Sequence, residues 1–118
     1  MRVFFDQNVP RGLAQHLTGH QVTRAAELDW QELKNGELLA QVELHGFEVF
    51  VSCDRNLAYQ QRTEGRKIAI VALSTNNWPL VKKHTEEVAQ AVDGAVPGSY
   101  RPVNCGEFLP QKARRRNL

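Results

Sequence analysis

The stretch Phe47-Glu-Val-Phe-Val-Ser-Cys-Asp54 decides the fold of this chain. Its aromatic and β-branched residues form a near-continuous apolar run, which predicts a strand buried on both faces. Two runs of the same kind occur elsewhere, Arg2-Val-Phe-Phe5 before it and Lys67-Ile-Ala-Ile-Val-Ala-Leu73 after it. Strands that are buried on both faces are typical of parallel sheets covered by helices.

The segments between these strands carry helix signals. Behind the first strand, Asn8 predicts a capping side chain, Pro10 a helix start and Gly19 its end. The other predicted elements are a weak strand over 20–24, a helix or loop over 25–34, a helix over 37–45, a short helix after Asn56, a helix over 79–94 and a strand around 100–103. This alternation predicts a three-layer α/β/α domain with a central, mostly parallel sheet of about four to five strands.

Length and charge limit the function classes. The 118 residues suffice for one domain that buries a core without disulfides or metals. We expect that domain over residues 1–110 and a basic, disordered tail over residues 111–118. The tail holds four of the 15 Lys and Arg residues, so that 11 bases face 13 acids in the domain. The net charge of the domain therefore does not attract nucleic acid. Any contact with nucleic acid would come from local basic patches or from the tail.

The sequence also indicates a compartment. No segment has the layout of a membrane span or a signal peptide, because Asp6 interrupts the first apolar run. We therefore expect a cytoplasmic protein with no membrane partner. Cys53 and Cys105 stand apart, without the spacing of a zinc site. In a reducing compartment both are expected to stay free thiols, with Cys53 packed as a small apolar residue.

Two aspartates follow the apolar strands: Asp6 ends the first run and Asp54 ends the central one. Ligands of such sheets bind beyond the carboxyl ends of the strands, so the two carboxylates would meet if their strands are neighbours. A pair of this kind needs a counter-charge, and Mg²⁺ is held by one or two carboxylates with waters and a substrate phosphate. The alternative for each aspartate is a helix cap or turn. Asn8 and Asn56, each two residues further on, can take that capping role and leave the aspartates free.

Four ordered motifs resemble the small PIN-like proteins, which are written with a D-x-N-x-P start and a T-x-D-x-[DN]-[FL] centre. The motifs are Phe5-Asp-Gln-Asn-Val-Pro10, Lys34-Asn-Gly-Glu-Leu-Leu39, Val51-Ser-Cys-Asp-Arg-Asn-Leu57 and Leu57-Ala-Tyr-Gln-Gln61. The resemblance implies a PIN-like fold and an Mg²⁺- or Mn²⁺-dependent endoribonuclease, which hydrolyses the phosphodiester with metal-activated water. It also implies an RNA substrate and, since many relatives are toxins of bacterial toxin–antitoxin pairs, an antitoxin protein as partner.

The resemblance assigns roles residue by residue. Asp6 and Asp54 match the acids of the first strand and of the central motif. Glu37 lies near the acid that opens the helix before that motif, although many relatives carry Asp at the position of Gly36. These three acids, Asp6, Glu37 and Asp54, would be the catalytic and metal-binding residues. The other assigned residues are Asn8, Ser52 and Asn56, which would order the site, and Arg55, Tyr59 and Arg62, which would contact the substrate.

Other interpretations stand beside these roles. Arg55 and Arg62 also fit a solvated charged face, and Tyr59 also fits packing. The glycine at position 36 favours a second function class, a non-catalytic nucleic-acid-binding module whose acidic site has decayed. A third class is a protein-interaction module, which forms a homodimer or binds an antitoxin through its apolar helix faces.

Overall fold

The computed structural model of the protein describes residues 1–33, 35–54 and 66–106. Five strands occur in these ranges: β1 (Arg2–Phe5), β2 (Gln21–Arg24), β3 (Val49–Ser52), β4 (Ala69–Leu73) and β5 (Tyr100–Val103). They form one sheet in the order β2-β1-β3-β4-β5, and every neighbouring pair is parallel. The parallel sheet expected from the apolar runs is therefore confirmed. Because β1 pairs with β3, Phe5 lies opposite Val51, and both strands end at the same edge.

The described helices are short. The α-helices are α1 (Asn35–Leu44), α2 (Trp78–Val81) and α3 (Thr85–Asp93), and the 3-10 helices are Arg11–His16, Ala25–Leu28 and Lys82–His84. Trp30 and Leu33, in the stretch predicted as helix or loop, pack against the core. The helix predicted after Asn56 and the tail 111–118 lie outside the described residues.

Two apolar clusters cover the two faces of the sheet. Alternate residues of β1 point to opposite faces: Val3 and Phe5 belong to one cluster and Phe4 to the other. The first cluster is completed by residues of the 3-10 helix Arg11–His16 and of α2 and α3, the second by residues of α1 and the 3-10 helix Ala25–Leu28. Helices on both faces of a parallel sheet make the three-layer α/β fold that the sequence predicted.

The predicted cap at the start of the first helix is wrong. The segment forms a 3-10 helix whose N-cap is Pro10, and no side chain caps it. Asn8 Oδ1 instead accepts a hydrogen bond of 3.1 Å from the backbone N–H of Cys53. The reason is the strand order, because the loop after β1 lies beside the loop after β3 and offers an acceptor to an N–H just past the end of that strand.

Two helix boundaries also differ from the prediction. The helix predicted over 79–94 is interrupted, because His84 departs from helical geometry with φ −125° and ψ 21°. Residues 82–84 accordingly form a 3-10 turn between α2 and α3. Helix α1 begins at Asn35 and not at Glu37, so the Asn35-Gly36 pair belongs to its first turn.

Candidate functional site

Asp6 is the buried centre of the site. It follows β1, and its backbone N–H continues the pairing with β3 by donating to Val51 O at 2.9 Å. The side chain is oriented by two donors: the backbone N–H of Gln7 lies 2.8 Å from Oδ1, and Ser52 Oγ lies 3.0 Å from Oδ2. Only 8% of Asp6 is exposed. The carboxylate is therefore held in one orientation at the carboxyl end of the sheet.

One hydroxyl group connects the two aspartates. Ser52 is the last residue of β3 and is buried. Its Oγ donates to Asp6 Oδ2 and accepts a hydrogen bond of 2.9 Å from the backbone N–H of Asp54. A hydroxyl can do both at once because it carries one donor and two acceptor lone pairs. Ser52 thus fixes the Asp6 side chain relative to the backbone from which Asp54 projects.

The electrostatics of Asp6 favour a cation. Burial is the largest influence and raises the pKa of Asp6, and the negative charge of Asp54 raises it further. The hydrogen bonds from Gln7 and Ser52 act in the opposite direction without cancelling the rise in this pKa. Ionisation of Asp6 is therefore less favourable in the protein than in water, and a positive charge near both carboxylates would favour the ionised form.

The neighbouring thiol is not a nucleophile. Cys53 is partly buried beside the acidic pair, and burial, followed by Cys105 and Asp6, raises its pKa to about 12. Since the thiolate is the reactive form, a thiol with this pKa stays protonated at neutral pH. Both cysteines are free, as expected.

The structure does not join Glu37 to the two aspartates. Glu37 is exposed in the first turn of α1, and no three Asp, Glu, His or Cys side chains form a metal-binding group within residues 1–33, 35–54 and 66–106. Its role as a third metal ligand stays a prediction. Four more predicted site residues lie outside the described ranges: Arg55, Asn56, Tyr59 and Arg62.

A cleft beside Asp6 was not predicted from the sequence. It has a volume of about 130 Å³ and lies between the loop after β1 and the end of β2. Arg11 and Arg24 line it together with Asp6 and Gln7. The sequence did contain a signal, because Arg24 ends a strand of the same parallel sheet and therefore reaches the edge where Asp6 lies.

The comparison with protein families decides the family. A family model described as PIN like domain matches residues 1–70. The chain belongs to the PIN-like domain family. The match spans β1, β2, α1 and β3 and includes both Asp6 and Asp54. No curated protein and no solved structure matches the chain.

Membership of the PIN-like family indicates a nuclease-type function in general, and PIN domains generally use divalent metals. The donor set of this PIN-like chain fits such an ion. Asp6 and Asp54 offer hard carboxylate oxygens, and Mg²⁺ typically takes one or two carboxylates while keeping several waters. Within the described helices, none is long and apolar enough to cross a membrane.

Proposed function

We propose that this PIN-like protein is a metal-dependent endoribonuclease that acts in the cytoplasm. The observation that carries the proposal is the Asp6–Ser52–Asp54 arrangement at the ends of the adjacent parallel strands β1 and β3. Asp6 is buried there, and burial together with the negative charge of Asp54 raises its pKa. Building such a pair costs stability, which natural proteins accept mainly at functional sites.

Each residue of the site has a proposed role. Asp6 and Asp54 would hold Mg²⁺ or Mn²⁺, and Ser52 would keep the Asp6 carboxylate in position through the bond to Oδ2. Asn8 would fix the two loops relative to each other through its bond to Cys53 N. When bound, the cation would lower the pKa of water and neutralise negative charge on the phosphodiester. The proposed roles of Glu37, Asn56, Arg55, Arg62 and Tyr59 rest on the sequence.

Cleavage of RNA tests the proposal directly. The purified protein and its Asp6→Asn variant are incubated with a mixture of structured and single-stranded RNAs in Mg²⁺, Mn²⁺ or chelator. We expect metal-dependent cleavage by the wild type and none by the variant, with circular dichroism confirming that both are folded. Equal cleavage by the two proteins would place the activity elsewhere and overturn the assignment.

Metal binding gives a second, independent readout. A ligand that binds only the folded state raises the unfolding temperature by mass action. We expect Mn²⁺ to raise the midpoint of the wild type but not that of Asp6→Asn or Asp54→Asn. Glu37→Gln shows whether the third predicted acid takes part, since Glu37 lies exposed in α1 and its removal leaves the other two acids intact.

A non-catalytic nucleic-acid-binding module is the second candidate. It is favoured by Gly36, which stands where many relatives carry Asp, and by the exposed position of Glu37. Within the described residues, no third acid forms a metal-binding group with Asp6 and Asp54. RNA binding that is the same with Mn²⁺ and with chelator, and no cleavage of any RNA, would support this candidate over the nuclease.

We further propose a toxin role with an antitoxin or a second copy of the chain as protein partner. The proposal rests on the resemblance stated above and is tested in cells. Growth arrest on expression, relieved by Asp6→Asn or by the product of a neighbouring gene, would support it. Normal growth together with a monomer in solution would contradict it.

A further inference from the structure

The cleft beside Asp6 combines one carboxylate with two guanidinium groups. Arg11 begins the 3-10 helix after β1, and Arg24 ends β2, the strand that pairs with β1 on the side opposite β3. Both arginines line the 130 Å³ space that Asp6 also lines. Sites for drug-sized ligands occupy about 300–1,000 Å³, so a space of this size suits a single charged group and not a whole nucleotide.

Arg24 is positioned by its own helix turn. Glu27 Oε2 accepts a hydrogen bond of 3.1 Å from the Arg24 backbone N–H and lies 3.5 Å from Nε. That contact orients the guanidinium but involves one of its five N–H donors. The side chain is 33% exposed, so the group is partly desolvated and still accessible from the cleft.

Neither arginine is neutralised by the acid that shares the cleft. In the described part of the chain no ion pair joins Arg11 or Arg24 to Asp6. Arg11 is exposed and enters no ion pair within those residues. Arg24 pairs with Glu27 through Nε alone, so donors of both guanidinium groups can still bind an anion in the cleft. Phosphate is the anion that the planar donor fork of arginine fits best.

We propose that Arg11 and Arg24 form a phosphate subsite that holds the backbone of single-stranded RNA next to the acidic pair. The ligand class rests on the proposed ribonuclease function, while the subsite itself rests on the cleft. A phosphodiester bound there places the neighbouring linkage of the same strand toward Asp6 and Asp54. The arginines position the strand and touch the substrate, and Asp6 lies beside the bound group because it lines the same cleft. Arg11 and Arg24 are thus proposed as substrate contacts in addition to Arg55 and Arg62.

The test measures binding separately from cleavage. The full-length protein is titrated, in chelator, into a fluorescein-labelled single-stranded RNA, and anisotropy gives the dissociation constant over a series of KCl concentrations. Each phosphate contact that is lost from a single strand lowers the slope of log K against log salt by about 0.7. We expect Arg11→Gln and Arg24→Gln each to weaken binding severalfold and to reduce the slope by about this amount.

Two controls separate the subsite from general charge and from local structure. Arg101→Gln removes the same charge from β5, an exposed position at the opposite edge of the described sheet, and should leave the slope unchanged. Glu27→Gln breaks the ion pair while keeping Arg24, and should bind RNA at least as tightly as the wild type. If Glu27→Gln weakened binding as much as Arg24→Gln, the effect would be structural and the subsite would be refuted.

The outcomes distinguish this inference from the proposed function. Wild-type protein that binds RNA with the expected arginine dependence but never cleaves it would support the subsite and refute the nuclease. Cleavage by the wild type, with Arg11→Gln and Arg24→Gln binding and salt slopes equal to those of Arg101→Gln, would refute the subsite alone. No measurable binding of RNA by the wild type would also refute the subsite.

Discussion

At the scale of single residues, Asp6 is a proposed metal ligand whose burial lowers the stability of the folded protein when the carboxylate is ionised. Burial is the main cause that raises the pKa of Asp6 in the folded protein above its ordinary value of 3.8. The native state therefore holds the proton more tightly than the unfolded state, and stability falls as the pH rises through the interval between the unfolded and folded pKa values. Above the folded pKa, the protein carries the whole penalty of an ionised, buried carboxylate.

Asp6→Asn is accordingly expected to stabilise the metal-free protein at neutral pH while removing cleavage. The amide can still accept from Gln7 N–H and can donate to Ser52 Oγ, so both contacts of the carboxylate have replacements. We expect a gain of about 1 kcal/mol in the free energy of unfolding in chelator at pH 7. Urea denaturation measures it, and the gain should shrink as the pH is lowered. If Asp6→Asn were less stable than the wild type at pH 7, the ionised carboxylate would stabilise the folded state and this prediction would be wrong.

Ser52 offers a second test at this scale. Ser52→Ala leaves a buried carboxylate without its hydroxyl donor and the Asp54 N–H without its acceptor. We expect a loss of about 1.5–3 kcal/mol in stability. Because the lost donor lowered the pKa of Asp6, that pKa should rise, and the ascending limb of the pH–activity profile should move to higher pH. The matched variant Ser52→Thr keeps the hydroxyl and should keep the wild-type profile. An unshifted pH–activity profile for Ser52→Ala would show that the Ser52 hydroxyl does not control the pKa of Asp6.

The residues that the sequence could identify were those at strand ends. Asp6 and Asp54 follow from two apolar runs and the rule that ligands bind at the carboxyl edge of such sheets, whereas Ser52 was assigned from the resemblance to the PIN-like central motif. The contact between Asn8 and Cys53 could not be predicted, since it depends on β1 and β3 being neighbours, and no local pattern encodes the order of strands. The predicted strand placed Arg24 at the carboxyl edge of the sheet, but its position beside Asp6 depends on β2 pairing with β1, which no local pattern encodes.

At the scale of elements, Glu43 ties α1 to the start of β4. Its Oε2 accepts from Lys67 N–H and its Oε1 from Arg66 Nη1, both at 2.8 Å. The bond from Lys67 N–H is the largest cause that lowers the pKa of Glu43, followed, after an opposing effect of burial, by Arg66. The unfolded state therefore binds the proton more tightly. The contact of Glu43 with Lys67 and Arg66 stabilises the protein above the ordinary glutamate pKa of 4.5, and this stabilisation is lost as the pH falls through the folded pKa.

Glu43→Gln should therefore destabilise the protein at pH 7 and have little effect in acid. We expect about 0.5 kcal/mol at neutral pH, a small value because solvent screens a partly exposed pair. Thermal unfolding of wild type and variant from pH 3 to pH 7 measures the difference. Glu32→Gln is the matched control, since Glu32 is exposed in the loop before α1. A Glu43→Gln effect that is constant over this pH range would refute the tie.

Strands were easier to predict than helices in this chain. The apolar runs of β1, β3 and β4 are buried on both faces, so composition alone distinguishes them. The helices are short and depend on tertiary packing. Trp78 illustrates this dependence, because its ring lies so close to Gly12 that a Cβ added there would be 2.9 Å from it. Contacts of this kind set where a turn tightens to a 3-10 helix, and sequence periodicity does not contain them.

At the scale of the whole molecule, β5 is an edge strand of the sheet that the described residues form. Ser99 O accepts from Ile70 N–H and Val103 O accepts from Ser74 N–H, so the backbone of the intervening residues Tyr100 and Pro102 faces away from β4. Pro102 has no N–H to offer there, and a proline at such a position discourages another strand from joining. Association of two copies through β5 is therefore disfavoured, and a homodimer would use a different surface.

The proposed division into a domain over 1–110 and a tail over 111–118 leads to the last prediction. The composition of residues 111–118 predicts a disordered basic tail, so the tail is not expected to contribute to the core. A chain ending at residue 110 should have the unfolding midpoint of the full chain. It also loses four bases, which leaves 11 bases against 13 acids, and its affinity for RNA at low salt should fall with a shallower salt slope. A lowered midpoint would instead show that the final residues belong to the folded domain, and an unchanged salt slope would show that RNA is held by the domain surface alone.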